Sequence, residues 1–344
     1  MEADTRRFSS RNGFTFADLA DDFKYRSILS SDGQEHLKKR RSIAPLMSLD
    51  GVHALEWTIQ KAVTDILDAI PLGVPFDWVN LVSKRLTGRM LATMMGVPQS
   101  EYERLIYWTE IAAIIPGPQE AVKTFEEKDC LLQDCYAYFI ALREDFKEQK
   151  RAMNFISILA HSQDQRDMTD EEFLLFVIIL LVGGNETTRN SISGSLLFLD
   201  QNPSQRHIMY TVPETIKSAV SEIIRFQTPL SYMRRTATED VEWLDKLIRK
   251  GDKVIFWYAS GNRDPLAIDD PDRFIVNRRY AGRHLSFGFG PHRCIGRHLA
   301  EMQIRILWEE IIRRGWTIRP CGEVKRTQSN FINGFEKIEA IING

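Results

Sequence analysis

The chain has 344 residues, 43% of them hydrophobic, and a formal net charge of −2, enough for one large core or two modest ones. So small a charge gives no whole-molecule attraction to nucleic acid or to an anionic membrane. Four cysteines (Cys130, Cys135, Cys294, Cys321) without paired spacing suggest reduced thiols in the cytoplasm, and the opening Met-Glu-Ala-Asp-Thr-Arg-Arg has no apolar stretch of the secretory kind.

Apolar positions recur at three- and four-residue spacing over residues 51–70, 78–96, 100–113, 120–148 and 170–200, predicting helices. Pro71 to Pro75 and Pro116-Gly-Pro118 punctuate them as loops. The most apolar run, Phe173 to Val182, is too short for a bilayer and reads as a buried helix. Gly183-Gly-Asn-Glu-Thr-Thr188 follows it, either as a helix end capped by glycine or as an interruption inside a longer helix. Another helix is expected from Glu214 to Phe226, with Pro213 at its first turn and Pro229 just past its end. Short β-type runs come next: Met233 to Ala237, Val241 to Trp243 and Lys253 to Tyr258, around a Lys250-Gly251-Asp252 turn. A meander rich in Pro and Asp leads to a Gly-rich loop and then an amphipathic helix from Gly296 to Arg314. The tail, Asn330 to Ile342, alternates like a hairpin turning at Asn333-Gly334. No repeat and no linker divides the chain. It reads as mainly α with small β-sheets, one domain over residues 1–344.

The strongest local signal is Phe287-Gly-Phe-Gly-Pro-His-Arg-Cys294-Ile-Gly296. Three glycines in ten residues suit backbone that turns tightly or approaches something closely. Cys294 stands just before a predicted helix, whose N-terminal amides stabilise a thiolate, the form that ligates iron. On composition alone an inert buried cysteine fits as well. A zinc site from His284, His292, Cys294 and His298 lacks the short paired spacing of zinc frameworks. Elsewhere Glu222-Ile-Ile-Arg225 places two charges on one helical face, and His36 and Arg40 share another.

The cysteine loop, with Leu299-Ala300 after it, resembles the F-G-x-G-x-H-x-C-x-G pattern of the cytochrome P-450 family of haem-thiolate monooxygenases. That resemblance implies the family's mainly helical fold with haem b (iron protoporphyrin IX) as cofactor and dioxygen as co-substrate. Cys294 would be the axial ligand, whose electron donation favours O–O cleavage. Phe287 would pack near the sulfur, and amides around Gly296 would tune its basicity. The family's [A/G]-G-x-[D/E]-T-[T/S] pattern fits Gly183 to Thr188, where the helix opens as an oxygen pocket. Thr187 would hydrogen-bond dioxygen there and Glu186 would relay protons to it. Glu222 and Arg225 match an internal brace completed by a meander arginine, here Arg273, with Arg278 as the alternative. His36, Arg40, Arg235 and His292 match positions that contact the haem propionates.

Within the family the chain is most similar to the bacterial alkane ω-hydroxylases. The residues that carry this are Phe76 to Val79, Gly183 to Asn190, Thr228 to Arg235, Trp257 to Asp264, His284 to Phe287 and Ser329 to Phe335. This implies terminal hydroxylation of medium-chain alkanes, fatty acids or similar linear hydrophobic substrates by a monomer. Electrons would pass from NADH through a ferredoxin reductase and an acidic 2Fe–2S ferredoxin. Steroid side-chain oxidases share the Gly-Asn-Glu-Thr-Thr-Arg-Asn segment and are the second reading. The face expected to meet the ferredoxin carries Lys38, Lys39, Arg41, Arg293, Arg297 and His298. Ile179, Val182, Leu230, Met233, Phe331 and Ile332 are the expected substrate-pocket residues, none of them charged. The family's first helix and first strands have no counterpart before the His36 helix, and residues 1–16 match only the end of that region. An open distal pocket is therefore expected, and with it the alternative of a haem-binding remnant without turnover.

Overall fold

The computed structural model describes residues 1–17, 26–114, 116–118, 120–163 and 168–343. Its axis is a 32-residue helix, α8 (Asp170–Gln201), about 48 Å long at the α-helical rise. Thr169 caps it with Glu172 in a reciprocal capping box, which fixes the start the sequence pattern suggests. Gly183 and Gly184 do not end it; the helix runs through them. The two ends of α8 lie in different cores, with its polar middle between them. Phe173, Phe176, Val177 and Leu181 belong to one core, with buried residues of α1 (Gly33–Met47), α4 (Lys84–Met95), α5 (Tyr102–Ala113), α6 (Phe125–Glu148) and α7 (Phe155–Ala160). Ile192 to Leu199 belong to the other, with α3 (Glu56–Asp68), α10 (Ile216–Gln227) and α12 (Arg297–Arg313). The joint between the cores, at Gly183 to Ser191, holds the cavity described below. Shorter helices α2 (Leu49–His53), α9 (Pro203–Thr211) and α11 (Tyr258–Gly261) complete the set. Among the described residues no helix is long and apolar enough to cross a membrane.

Three small sheets flank the helices. β1 (Phe8–Ser9), β3 (Met233–Ala237) and β6 (Lys253–Phe256) form one, in the order β1-β3-β6. β3 therefore has a neighbour on both sides. β4 (Val241–Trp243) and β5 (Lys246–Ile248) form a two-stranded hairpin. The third sheet has the order β2 (Phe76–Asp77), β8 (Phe335–Asn343), β7 (Thr317–Arg326). Here the hairpin expected within the tail is corrected. Ile338 pairs with Val324 and Ala340 with Pro320, so the tail is one strand against β7, and Asn333-Gly334 only leads into it. β7 hides from pattern reading because Pro320 and Gly322 interrupt a largely exposed run.

Candidate functional site

The loop around Cys294 is shaped by backbone that only glycine adopts easily. Gly288 and Gly290 have φ of 66° and 73°, in the left-handed region. The turns they make bring the Cys294 amide back to donate to Phe287 O at 2.8 Å. The thiol opens into a large cavity that Phe287, Gly296, Leu299, Gly183 and Thr187 also line. Cys294 is accessible to solvent, but what it exposes is cavity surface. The protein mass around it pushes the thiol pKa up, opposed by a hydrogen bond from the Gly296 amide and by Arg40, Arg297 and Arg293. Without a metal the sulfur thus holds its proton; a bound metal would remove it, as ligation requires.

Behind the loop lies a buried brace. Arg225 Nε and Nη2 donate to both carboxylate oxygens of Glu222, at 2.7 and 2.9 Å, and Nη1 donates to Asn262 O and Pro271 O. The third member is Arg278, whose Nε donates to Glu222 Oε2 at 3.0 Å. Arg273, the expected partner, gives only its carbonyl to Arg225 and Arg278, while its guanidinium turns outward to Asp270. The meander's turn at Asp270 decides this, by presenting the Arg273 backbone inward. Asn262, which the sequence reading passed over, joins brace to loop. Its amide donates to Ser286 Oγ and its Oδ1 accepts from Leu285 N–H, at 2.9 and 2.6 Å. Its only sequence signal is its place inside Trp257 to Asp264.

On α8 a four-residue spacing sorts the side chains. Ile179, Gly183 and Thr187 form one stripe on the cavity wall, with Thr188 and Ser191 beside it. The Thr187 hydroxyl donates to Gly183 O at 3.1 Å. Val182 and Glu186 lie on the other stripe and do not line the cavity, which removes Val182 from the expected pocket. Glu186 is buried and pairs with Arg189 Nη2 at 2.5 Å, while Arg189 reaches Glu110 at 3.5 Å and Glu110 pairs with Lys84. Burial raises the Glu186 pKa against the pull of Arg189. Among the described residues its Oε1 has no partner. The expected acid and alcohol thus adjoin in sequence but face opposite ways.

His36, Arg40, Arg235 and His292 all line one end of the cavity. The imidazoles of His36 and His292 stack at 4.0 Å. Burial, together with His292 and Arg40 nearby, lowers the His36 pKa to about 4. One corner of this cationic end already holds a carboxylate: Glu2, buried, accepts from Tyr258 OH and lies 3.4 Å from Arg235 Nη2. A chain carboxylate seated there shows that the corner accepts such a group. Among the described residues Arg235 Nε is still unpaired. Lys39, placed by sequence on the outer basic face, is instead buried, donating to Glu35 and Arg26 O. Lys38, Arg41 and Arg293 are exposed, and Arg297 and His298 half-buried.

The rest of the wall is apolar. Leu230, Met233 and Ile179 line it as expected, joined by Met47, Met90 and Met94, which pattern reading could not separate from core. Phe331 and Ile332 do not line it. Phe331 packs on Tyr232 at 5.2 Å, and Ile332 bridges to Leu230. The walls leave a cavity of about 230 Å³ that opens at its rim. A single thiol and a cluster of cations for carboxylates, set in a largely apolar wall, fit an iron porphyrin. Among the described residues no three His, Cys, Asp or Glu side chains converge as metal ligands, so the zinc reading of His284, His292, Cys294 and His298 has no geometric support.

A family model described as "Cytochrome P450" matches residues 4–211 and 214–335. The chain is 35% identical over 319 residues to a linalool 8-monooxygenase of Pseudomonas putida, covering 92% of this chain and 77% of that protein. It is 30% identical over 339 residues to a methyl-branched lipid omega-hydroxylase of Mycobacterium tuberculosis, covering 96% and 78%. The solved structure of cytochrome P450-153 from Novosphingobium aromaticivorans superposes with a TM-score of 0.91 at 36% identity, covering 99% of this chain and 87% of that one.

Proposed function

The chain belongs to the cytochrome P450 family and is an oxidoreductase of its monooxygenase kind, and we propose that it hydroxylates uncharged, linear alkyl substrates, medium-chain alkanes among them, at or near the chain end. Haem and dioxygen come with the family. The haem, when bound, supplies the activation of dioxygen that lets an unactivated C–H bond be oxidised. Cys294 Sγ would be its ligand, and Arg40, Arg235, His36 and His292 would hold its carboxylates. Phe287 and Gly296 would shape the space around the sulfur. Thr187 stands on the cavity wall with a hydroxyl that can pass a proton inward. Glu186, whose pKa burial raises against the pull of Arg189, would supply it from behind, and must leave Arg189 to do so.

The observation that carries the substrate reading is the distribution of charge. Among the described residues, the charged or imidazole side chains on the cavity wall are Glu2, His36, Arg40, Arg235 and His292, which gather at the cationic end, and the others, Met47, Met90, Met94, Leu230 and Met233 among them, carry no charge. Unbranched methionines suit a flexible chain. The omega-hydroxylase name of one relative supports oxidation at a chain end. Electrons would come from NADH through a ferredoxin reductase and an acidic 2Fe–2S ferredoxin, docked on Lys38, Arg41, Arg293, Arg297 and His298. Four free cysteines support a cytoplasmic setting for a monomer served by such carriers.

The test is turnover with NADH, a surrogate ferredoxin and its reductase on alkanes, the fatty acids of equal length, and a steroid with an alkyl side chain. The reading expects NADH use coupled to 1-alkanol formation, with fatty acids far poorer. Preference for the acids or for the steroid side chain overturns it.

A further inference from the structure

Asp32 occupies the N-cap of α1, with the extended backbone of that position, yet its side chain makes no capping hydrogen bond. An aspartate there ordinarily accepts from the first turn of its helix. Instead its carboxylate turns across the molecule. It accepts from Ser9 Oγ at 2.5 Å and from the Ser10 amide at 3.1 Å, and it lies 3.6 Å from His292 Nε2. Ser10 Oγ is 3.2 Å from the same nitrogen. One carboxylate thus ties β1, the start of α1 and the cysteine loop at a single imidazole. That imidazole lines the cationic end of the cavity against His36, and among the described residues its Nδ1 has no protein partner.

We propose that Asp32 is a positioning residue for the haem carboxylates: it holds the His292 ring by Nε2, so that Nδ1 is left to face a propionate. The proposal rests on reading the cavity as a haem site. A histidine that contacts a ligand through one nitrogen is oriented by whatever binds the other, and losing that second partner loosens the first contact. Asp32 is well placed for this because Ser9 and Ser10 hold its own oxygens from the opposite side. The helix start forgoes its cap, and a loop tie alone would not require the carboxylate to point at a ring nitrogen.

The experiment measures the rate at which haem leaves the holoprotein for a haem-scavenging apoglobin, and the midpoint potential of the bound haem, for Asp32→Ala, Asp32→Asn, His292→Ala and the double Asp32→Ala/His292→Ala variant. Asp32→Ala should release haem about tenfold faster, through loss of its hold on the His292 ring across 3.6 Å, and shift the potential. Asp32→Asn, whose amide oxygen still accepts, should stay near the parent. The double variant should release haem no faster than His292→Ala alone. Asp32→Ser, which restores a helix cap but cannot reach His292, guards against a folding failure and should behave like Asp32→Ala. If the two single effects multiply in the double variant, or if Asp32→Ala and Asp32→Ser leave release and potential unchanged while His292→Ala alters both, the proposal is overturned and the haem site stands. If the parent takes up no haem, both fall together.

Discussion

Two glutamate–arginine pairs with the same i, i+3 spacing lie buried in this molecule, Glu222 with Arg225 on α10 and Glu186 with Arg189 on α8. The first is saturated. Glu222 accepts from Arg225 and Arg278 and from the Ile275 amide, and Arg225 spends its remaining donors on three meander carbonyls. The second is not: among the described residues Glu186 Oε1 and Arg189 Nε have no partner, and burial raises the glutamate's pKa. A buried pair with every donor and acceptor met can only hold its neighbours in place. A pair with a free oxygen can rearrange and hold or release a proton. Identical spacing in sequence thus gives a saturated brace in one place and, in the other, a pair left able to rearrange, as the proposed proton relay would require.

The largest effect should come from breaking the saturated pair. Glu222→Ala or Arg225→Ala leaves a buried charge alone, a loss of about 3–5 kcal/mol out of a typical total of about 5–15 kcal/mol. Urea unfolding midpoints should fall steeply and haem-loaded protein should be scarce; near-parental midpoints would break the comparison. Glu186→Gln should act differently, lowering product formation by about a hundredfold while stability moves by less than about 1 kcal/mol. Its pH dependence sharpens the contrast. Because the fold raises the Glu186 pKa above its ordinary 4.5, its contribution to stability is present below that value and is lost as pH rises through the raised one. The unfolding free energy of Glu186→Gln should therefore gain on the parent as pH rises from about 4.5; parallel curves would refute the assignment. Thr187→Ala, on the cavity face, should leave stability nearly unchanged but divert NADH consumption from product to peroxide, read by assaying all three. Smallest of all, Arg273→Ala should change the urea midpoint by an amount equivalent to less than about 0.5 kcal/mol, whereas Arg278→Ala should cost several times more. Equal costs would restore Arg273 to the brace.

Much of this site was legible in sequence because its chemistry needs unusual residues. The left-handed turns at Gly288 and Gly290, the capping box at Thr169 and the His36/Arg40 stripe all leave local marks. What stayed hidden depends on how distant segments meet. Arg273 and Arg278 are both plausible partners until the course of the meander is known. Asp32 reads as an ordinary helix cap until Ser9, Ser10 and His292 are seen around it. Val182 and Glu186 could have been placed off the cavity from helical spacing alone, given which stripe faced inward. Phe331 and Ile332 could not, since their packing on Tyr232 and Leu230 depends on the loop before β8, a strand whose partner β7 carries no clear β pattern.

The central claim is that Cys294 is the thiolate ligand of a haem held in this cavity. The carbon-monoxide difference spectrum of the reduced, purified protein tests it most directly, taken alongside Cys294→Ala. The account predicts a Soret maximum at the position characteristic of thiolate-ligated haem, lost in the variant. A maximum characteristic of nitrogen ligation, an unchanged spectrum in Cys294→Ala, or no haem at all would contradict it.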